Sequence, residues 1–376
     1  MPHLYMYASR LLYSRSMLHF AAKPMGTISR LTSQQALQLR RFSEAPSVPA
    51  ALVKALRDRT GASIGKCREA LCAEGGDAEK AAEWLRKRGI RSMERRTADS
   101  GEALLALNIG SSIGGLVEVR AETDFVTRGM IFQRLSLCLA TVAARERASS
   151  PTGLGEAALL ESDCSPTELQ QIHAGTAVDA ALLELGSILG ERLVVGRVQH
   201  LAVSSGGVIA GYVHPKQADG LSGTGRIAAL VALKPEPAEG CDSDRLNEVA
   251  GLLARHVVAA QPRFLSATSI PEHVRQREEN LMREAHLEQL GPKKAAAVDE
   301  KVLTKVLEGK MKKFCQETAF LSQELIAAPP QTAAAGAEGS KPEATKSIIV
   351  GEWLRVQAKA MSLQELIVEG FQLAAL

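Results

Sequence analysis

Aromatic side chains are scarce in this sequence. It holds two Trp, four Tyr and eight Phe among 376 residues, 4% of the chain. That scarcity argues against a surface that stacks many nucleobases. No run approaches about 18 consecutive apolar residues, so no transmembrane helix is expected. The cysteines stand at 67, 72, 138, 164, 241 and 315, with no CxxC pair and no histidine at a zinc-ligand spacing. They read as reduced, partly buried thiols, not as metal ligands or a disulfide framework. No GxSxG elbow, HExxH or paired-carboxylate motif is present, so covalent catalysis has no support in the sequence. Gly61-Ala-Ser-Ile-Gly65-Lys66-Cys67 resembles a phosphate loop, but its glycines are one residue too close. Cys67 also stands where Ser or Thr would hold magnesium. Gly220-x-x-Gly223-x-Gly225 reads as a turn between strands. No cofactor and no metal are expected.

Acidic residues are absent from positions 1–43, which hold Arg10, Arg15, Lys23, Arg30, Arg40 and Arg41 among six serines. This is the composition of an organelle import leader. The run Arg40-Arg41-Phe42-Ser43 is similar to a matrix-peptidase cleavage site, and the mitochondrial matrix is preferred to the plastid. The formal charge of the whole chain is +3, from 45 basic and 42 acidic residues. Without the six leader cations, 39 basic and 42 acidic residues remain, a net −3. The apparent basicity belongs to the leader, which weakens a nucleic-acid reading. Neither nucleic acid nor a membrane is expected as a partner.

Beyond the leader the pattern is α+β. Residues 47–90 read as three short helices. The first is capped by Ser47 and broken at Thr60-Gly61, and the second carries Ile64, Cys67 and Leu71 on one face. The third ends at Gly89 as a C′ glycine. A basic linker, 91–101, follows. It belongs to a run of Arg86, Lys87, Arg88, Arg91, Arg95 and Arg96 that reads as a solvated face. Residues 103–122 suggest a hairpin closed by the Gly110–Gly115 loop, with Glu118 and Arg120 alternating against Val117, Val119 and Ala121. A helix starting near Thr127 carries Ile131, Leu135, Cys138 and Val142. A loop at 148–164 and a capping box at Ser165–Glu168 come next. Helix 177–190, three β-rich runs and helix 243–260 make a second unit. The order suggests two α+β core subdomains, 102–163 and 164–270, not a doubly wound parallel sheet. Charged helical segments joined by Gly291-Pro292 read as a protruding antiparallel hairpin, 271–314. Val274, Leu281 and Ala285 line the first helix, and Val302, Val306 and Phe314 the second. Residues 315–326 return to the core, 327–347 are low-complexity linker, and a short helix and a last strand close the chain at 348–376.

Several segments carry a resemblance. Glu122-Thr123-Asp124-Phe125-Val126 resembles the signature of the elongation factor Ts family, the guanine-nucleotide exchange factors for elongation factor Tu. LVKALRDRTGASIGKCREAL and GGDAEKAAEWLRKRG resemble that family's N-terminal module, which has a three-helix ubiquitin-associated-like fold. GYVHP, GRIAALVAL, ARHVVAAQPRFLS and KVLEGKMKKFCQE resemble its second core half and the segment after its coiled-coil hairpin. With the leader, the resemblance is to the mitochondrial form. It covers most of residues 48–325.

The resemblance implies that the chain binds an organellar elongation factor Tu carrying GDP, releases the GDP and holds the nucleotide-free form. It is then no enzyme in the covalent sense. In the family, the Asp-Phe tip inserts near the magnesium site of the GTPase. Thr123, Asp124, Phe125 and Val126 match that tip, Phe125 as an apolar wedge. Arg57, Ile64, Gly65 and Arg68 match the module's contact with a GTPase helix, and Leu189 and His214 match contacts of the second core half. Ser63-Ile64-Gly65-Lys66 departs from the family's usual Gly-Met-Met-Asp, and Gly129 replaces a usual Asn. The residues also admit a ubiquitin-binding adaptor, from the three-helix module, and a ribosome-associated RNA-binding protein, from the 86–96 basic run.

Overall fold

The computed structural model describes residues 48–160, 162–164, 175–214, 220–295, 299–326 and 348–376. The leader, Ser47, the Ser165–Glu168 cap and the 327–347 linker lie outside the described residues. Three helices come first: α1 (Ala50–Thr60), α2 (Ile64–Ala73) and α3 (Ala78–Glu94). Pro49 occupies the N-cap position of α1, and Gly61 ends that helix with φ 68°, where glycine meets no steric penalty. Asp77 caps α3, accepting the N–H groups of Glu79 and Lys80 at 3.0 and 3.1 Å. Val53, Leu56, Cys67, Ala70, Leu71, Ala81 and Met93 form the buried side of the three helices. Ile64, expected on that apolar face, is exposed instead in the first turn of α2.

Helix α3 runs through Gly89 to Glu94 and does not stop there. The glycine serves close approach: a β-carbon at 89 would lie 2.7 Å from Ser187 Cβ. The basic run is therefore largely helix, with partners. Arg86 pairs with Glu184, Lys87 with Glu83, Arg88 with Glu69, and Arg96 with Glu122. The Arg88 guanidinium also lies 4.8 Å from the centre of the Trp84 ring.

The next elements are β1 (Glu102–Ile109), β2 (Ile113–Ala121), α4 (Asp124–Arg128), α5 (Met130–Arg145), α6 (Pro151–Gly155) and α7 (Val178–Leu189). They are followed by β3 (Val194–Ala202), β4 (Val208–His214), β5 (Thr224–Gly225), β6 (Ile227–Glu236) and α8 (Ser243–Ala260). The β1–β2 loop is shorter than expected, because Gly114 and Gly115 belong to the strand. A β-carbon on Gly115 would fall 2.0 Å from the Ala140 carbonyl oxygen, so the glycine lets α5 lie directly on β2. Helix α6 occupies part of the expected 148–164 loop.

Two antiparallel sheets result, as the α+β reading expected. One has the order β3-β2-β1-β5. The other is β4-β6-β7, its last strand being Glu365–Ala375. Strand β3 joins the first sheet, so the sheets do not divide at 163/164. Helix α5 covers one face of the first sheet, where Phe132, Leu135 and Leu139 meet Leu104, Ala106, Val117 and Val119. Leu105, Leu107 and Leu116 on the other face meet Ile209, Val213, Ala228 and Leu230 of the second sheet. Helix α8 covers that sheet's outer face through Leu246, Val249, Leu253 and Val257. Strands β1 and β6 are thus buried on both faces, which explains why they read as continuous apolar runs. Glu118, expected on a polar face, is 1% exposed. Its carboxylate accepts Arg120 Nε at 2.6 Å and Arg197 Nε at 2.5 Å, which offsets the burial of its charge.

The charged helices are α9 (Glu272–Ala295) and α10 (Glu300–Thr318), with non-helical backbone at Gly291 and an Arg283–Glu300 ion pair of 3.0 Å between them. Helix α10 buries Leu303, Leu307 and Phe314, so its stripe is one residue out of step with Val302 and Val306. On α9, Leu281 and Ala285 are exposed. Phe320 returns the chain to the second core, and α11 (Val350–Ala360) adds Trp353 and Leu354 to it.

The thiol reading also needs correction. Cys138 and Cys164 are paired as a disulfide, Cα atoms 5.2 Å apart. The cause is tertiary. Arg145 at the end of α5 holds Asp163 through Nε and Nη2 at 3.2 and 3.0 Å, folding the later loop back beside α5.

Candidate functional site

The chain leaves β2 at Ala121 and passes through Glu122 and an extended Thr123 (φ −128°, ψ 156°) into the five-residue helix α4. A threonine in this place usually caps the helix with its own hydroxyl. Here it does not. The hydroxyl donates to Glu191 Oε1 at 2.5 Å, while Glu191 Oε2 accepts the N–H groups of Glu122 and Thr123 at 3.1 and 3.0 Å. The Glu122 carboxylate accepts Arg96 Nη2 at 2.6 Å and the Arg192 N–H at 2.7 Å. The hydrogen bond from Arg96, helped by the Arg192 N–H, holds the Glu122 carboxyl below the usual carboxylate range.

The helix expected to begin near Thr127 begins at Asp124, stops at Arg128 and restarts at Met130. Gly129 makes the break in extended conformation, and a β-carbon there would sit 3.0 Å from the Val126 carbonyl. Thr127 is buried and donates to the Asp124 carbonyl at 3.1 Å. Gln133 donates to the Arg128 carbonyl at 2.9 Å and accepts the Leu221 N–H at 2.7 Å, tying the far end down. Val126 packs against the first core. Phe125 points outward and is 84% exposed, with Met130 (51%) and Ile131 (39%) also exposed just after it. Asp124 forms an exposed i,i+4 pair with Arg128 at 3.2 Å, worth little by itself.

The other expected residues divide. Arg57, Ile64, Gly65 and Arg68 are all exposed, at the end of α1 and the start of α2, and Ile64 is 58% exposed. Leu189 ends α7 and is half-buried, packed against the first core. His214 is exposed at the end of β4, where its carbonyl accepts the Arg226 N–H at 3.1 Å. No hydrogen bond or ion pair among the described residues joins it to residues 122–126. The sequence reading missed Glu191 and placed Arg96 in a solvated run. The only local signal was an acid directly after the helix-ending Gly190. Among the described residues no group of three or more His, Cys, Asp or Glu is placed to hold a metal.

A sequence model of the family described as Elongation factor TS matches residues 122–352, beginning at the braced segment itself. The chain belongs to the elongation factor Ts family. It is therefore an elongation factor of protein synthesis. Elongation factor Ts of Ehrlichia canis is 34% identical over 275 residues, 73% of this chain and 86% of the relative. That of Orientia tsutsugamushi is 30% identical over 287 residues, 76% and 83%. That of Sinorhizobium medicae is 31% identical over 303 residues, 80% and 88%. The match runs from the 122–126 segment through β3 to β6 and the charged helices to the start of α11, and leaves α1 to α3, β1, β2 and β7 outside it.

Proposed function

We propose that this chain is a guanine-nucleotide exchange factor. It binds an organellar elongation factor Tu carrying GDP, promotes GDP release by disturbing the magnesium and phosphate site, and leaves the GTPase free to reload with GTP. No covalent bond is made or broken. The observation that carries the reading is Phe125, a fully presented apolar ring on a short helix whose backbone is held at both ends.

The energetics are those of differential binding. A partner shifts an equilibrium only by its difference in affinity for the two states. GDP and the exchange factor must then weaken each other's binding equally. Burying Phe125 supplies about 1.5–3 kcal/mol. That corresponds to roughly 10- to 100-fold in an equilibrium constant. Asp124 adds charge and hydrogen-bond acceptors at the tip, and Thr123 and Val126 set its base. Arg57, Ile64, Gly65 and Arg68 form a second contact through a ubiquitin-associated-like module. Leu189, half-buried at the end of α7, and His214, exposed at the end of β4, add further contacts with the partner. The α9–α10 pair projects as a coiled-coil hairpin, and residues 1–43 direct the chain to the mitochondrial matrix.

The test is release of labelled GDP from mitochondrial elongation factor Tu. Acceleration by micromolar wild-type protein is expected, and no acceleration would sink the proposal.

A further inference from the structure

Helix α7 lies between the two proposed docking segments and is tied to both. On one side, Arg86 Nε donates to Glu184 Oε1 at 2.8 Å, with the Glu184 side chain buried. Gly89 meets Ser187 so closely that no side chain fits, and a β-carbon on Gly61 would lie 3.5 Å from Ile188 Cγ2. At its end, Gly190 turns the chain with φ 79°. Glu191 then receives three hydrogen bonds from Glu122 and Thr123, and Glu122 is held in turn by Arg192 and Arg96. Arg96 lies two residues beyond the end of α3. The ties close a ring: α3, α7, Glu191, the 122–123 segment, Arg96 and back to α3.

We infer that Glu191 is the positioning residue that sets the direction of the Phe125 wedge and its spacing from the N-terminal docking surface. Its carboxylate needs no contact with the partner to do this. By taking the Thr123 hydroxyl, it prevents that side chain from capping α4 and fixes Thr123 in its extended conformation. Without the carboxylate, two N–H groups and a hydroxyl lose their acceptor. The hydroxyl is then free to cap α4, and the entry angle of the helix changes with it. Misplacing a contact by about 1 Å can cost on the order of 100-fold in rate. Because the α1–α2 surface does not depend on this acceptor, capture of the partner there is left intact.

The inference rests on the exchange reading, and two readouts separate them. In Glu191→Ala, maximal GDP release at saturating factor should fall about 10- to 100-fold, while the half-saturating concentration changes less than about twofold. Glu191→Gln keeps one acceptor oxygen and should recover part of the loss. Thr123→Val combined with Glu191→Ala should be no slower than the worse single variant, since the hydroxyl bond that Thr123→Val removes is one of the three already lost in Glu191→Ala. Independently of the partner, amide hydrogen exchange should quicken in residues 122–128 of Glu191→Ala with the melting temperature held. If the wild type fails to release GDP but 122–128 loosens, the exchange reading falls and the positioning role stands. If the wild type is active and Glu191→Ala changes neither rate nor protection, the positioning role is wrong. Loss of rate matched by an equal rise in half-saturating concentration would also overturn it.

Discussion

Phe125 and Phe132 are seven positions apart and have opposite surroundings. Phe132 is 1% exposed, wedged between α5 and the first sheet, whereas Phe125 is 84% exposed on α4. Both lie on helix, and the intervening Gly129 is what separates their fates. It stops one helix and restarts another, so the two rings no longer follow one helical phase. Phe132 joins Leu135 and Leu139 on the inward stripe, and Phe125 is left with no core to enter. Apolar surface that the fold leaves uncovered, on backbone that the fold holds firmly, is what a binding wedge requires. Stability and proposed activity are thus carried by neighbouring but separate residues.

That separation can be broken in several places. Phe132→Ala should destabilise the fold by about 3–5 kcal/mol, with any lost exchange following the unfolded fraction. Denaturant unfolding beside a GDP-release assay reads both; a fully folded but inactive variant would contradict the separation. Gly115→Ala pushes a β-carbon into the Ala140 carbonyl and should cost about 3 kcal/mol by overpacking, read in the same unfolding experiment. Ile64→Ala acts on the exposed side of the contrast. It should raise the half-saturating concentration for the partner up to about tenfold and leave unfolding within about 0.5 kcal/mol of wild type.

The smallest effect concerns acid. His256 is fully buried in the second core, where its Nε2 faces Gln323 Oε1 at 3.1 Å and its Nδ1 accepts the Ile326 N–H at 3.2 Å. Burial lowers its pKa, with the Gln323 hydrogen bond acting weakly the other way. A lowered imidazole value means the folded state favours the neutral ring. That stability is present above about pH 6.5 and is lost as pH falls through the folded value, by at most about 1.4 kcal/mol per pH unit. Melting temperatures between pH 7.5 and 5.5 should fall less steeply in His256→Gln than in wild type. Glu122, held low by Arg96, adds a loss of the same sign only at more acidic pH, below the ordinary carboxylate value.

Much of this was legible in the sequence because it is local. Helix α7 stops at Gly190, α8 follows from its stripe of Leu246, Val249, Leu253 and Val257 and ends before Pro262, and the 122–126 segment follows from its resemblance to one family. What escaped is tertiary. Gly89 looks like a helix stop, but Ser187 across the interface decides its use. Gly114 and Gly115 look like a turn, until α5 presses on the strand. Glu118 alternates like a surface residue, yet Arg120 and Arg197 bring it inside. Glu191 reaches Thr123 across 68 positions, a pairing that no spacing rule contains. The tip was readable, and the brace that aims it was not.

The most direct measurement is GDP release from mitochondrial elongation factor Tu driven by Phe125→Ala, alongside its thermal unfolding. The expected result is a melting temperature equal to wild type with maximal release slowed roughly 10- to 100-fold. Release at the wild-type rate from a folded Phe125→Ala protein would contradict the wedge.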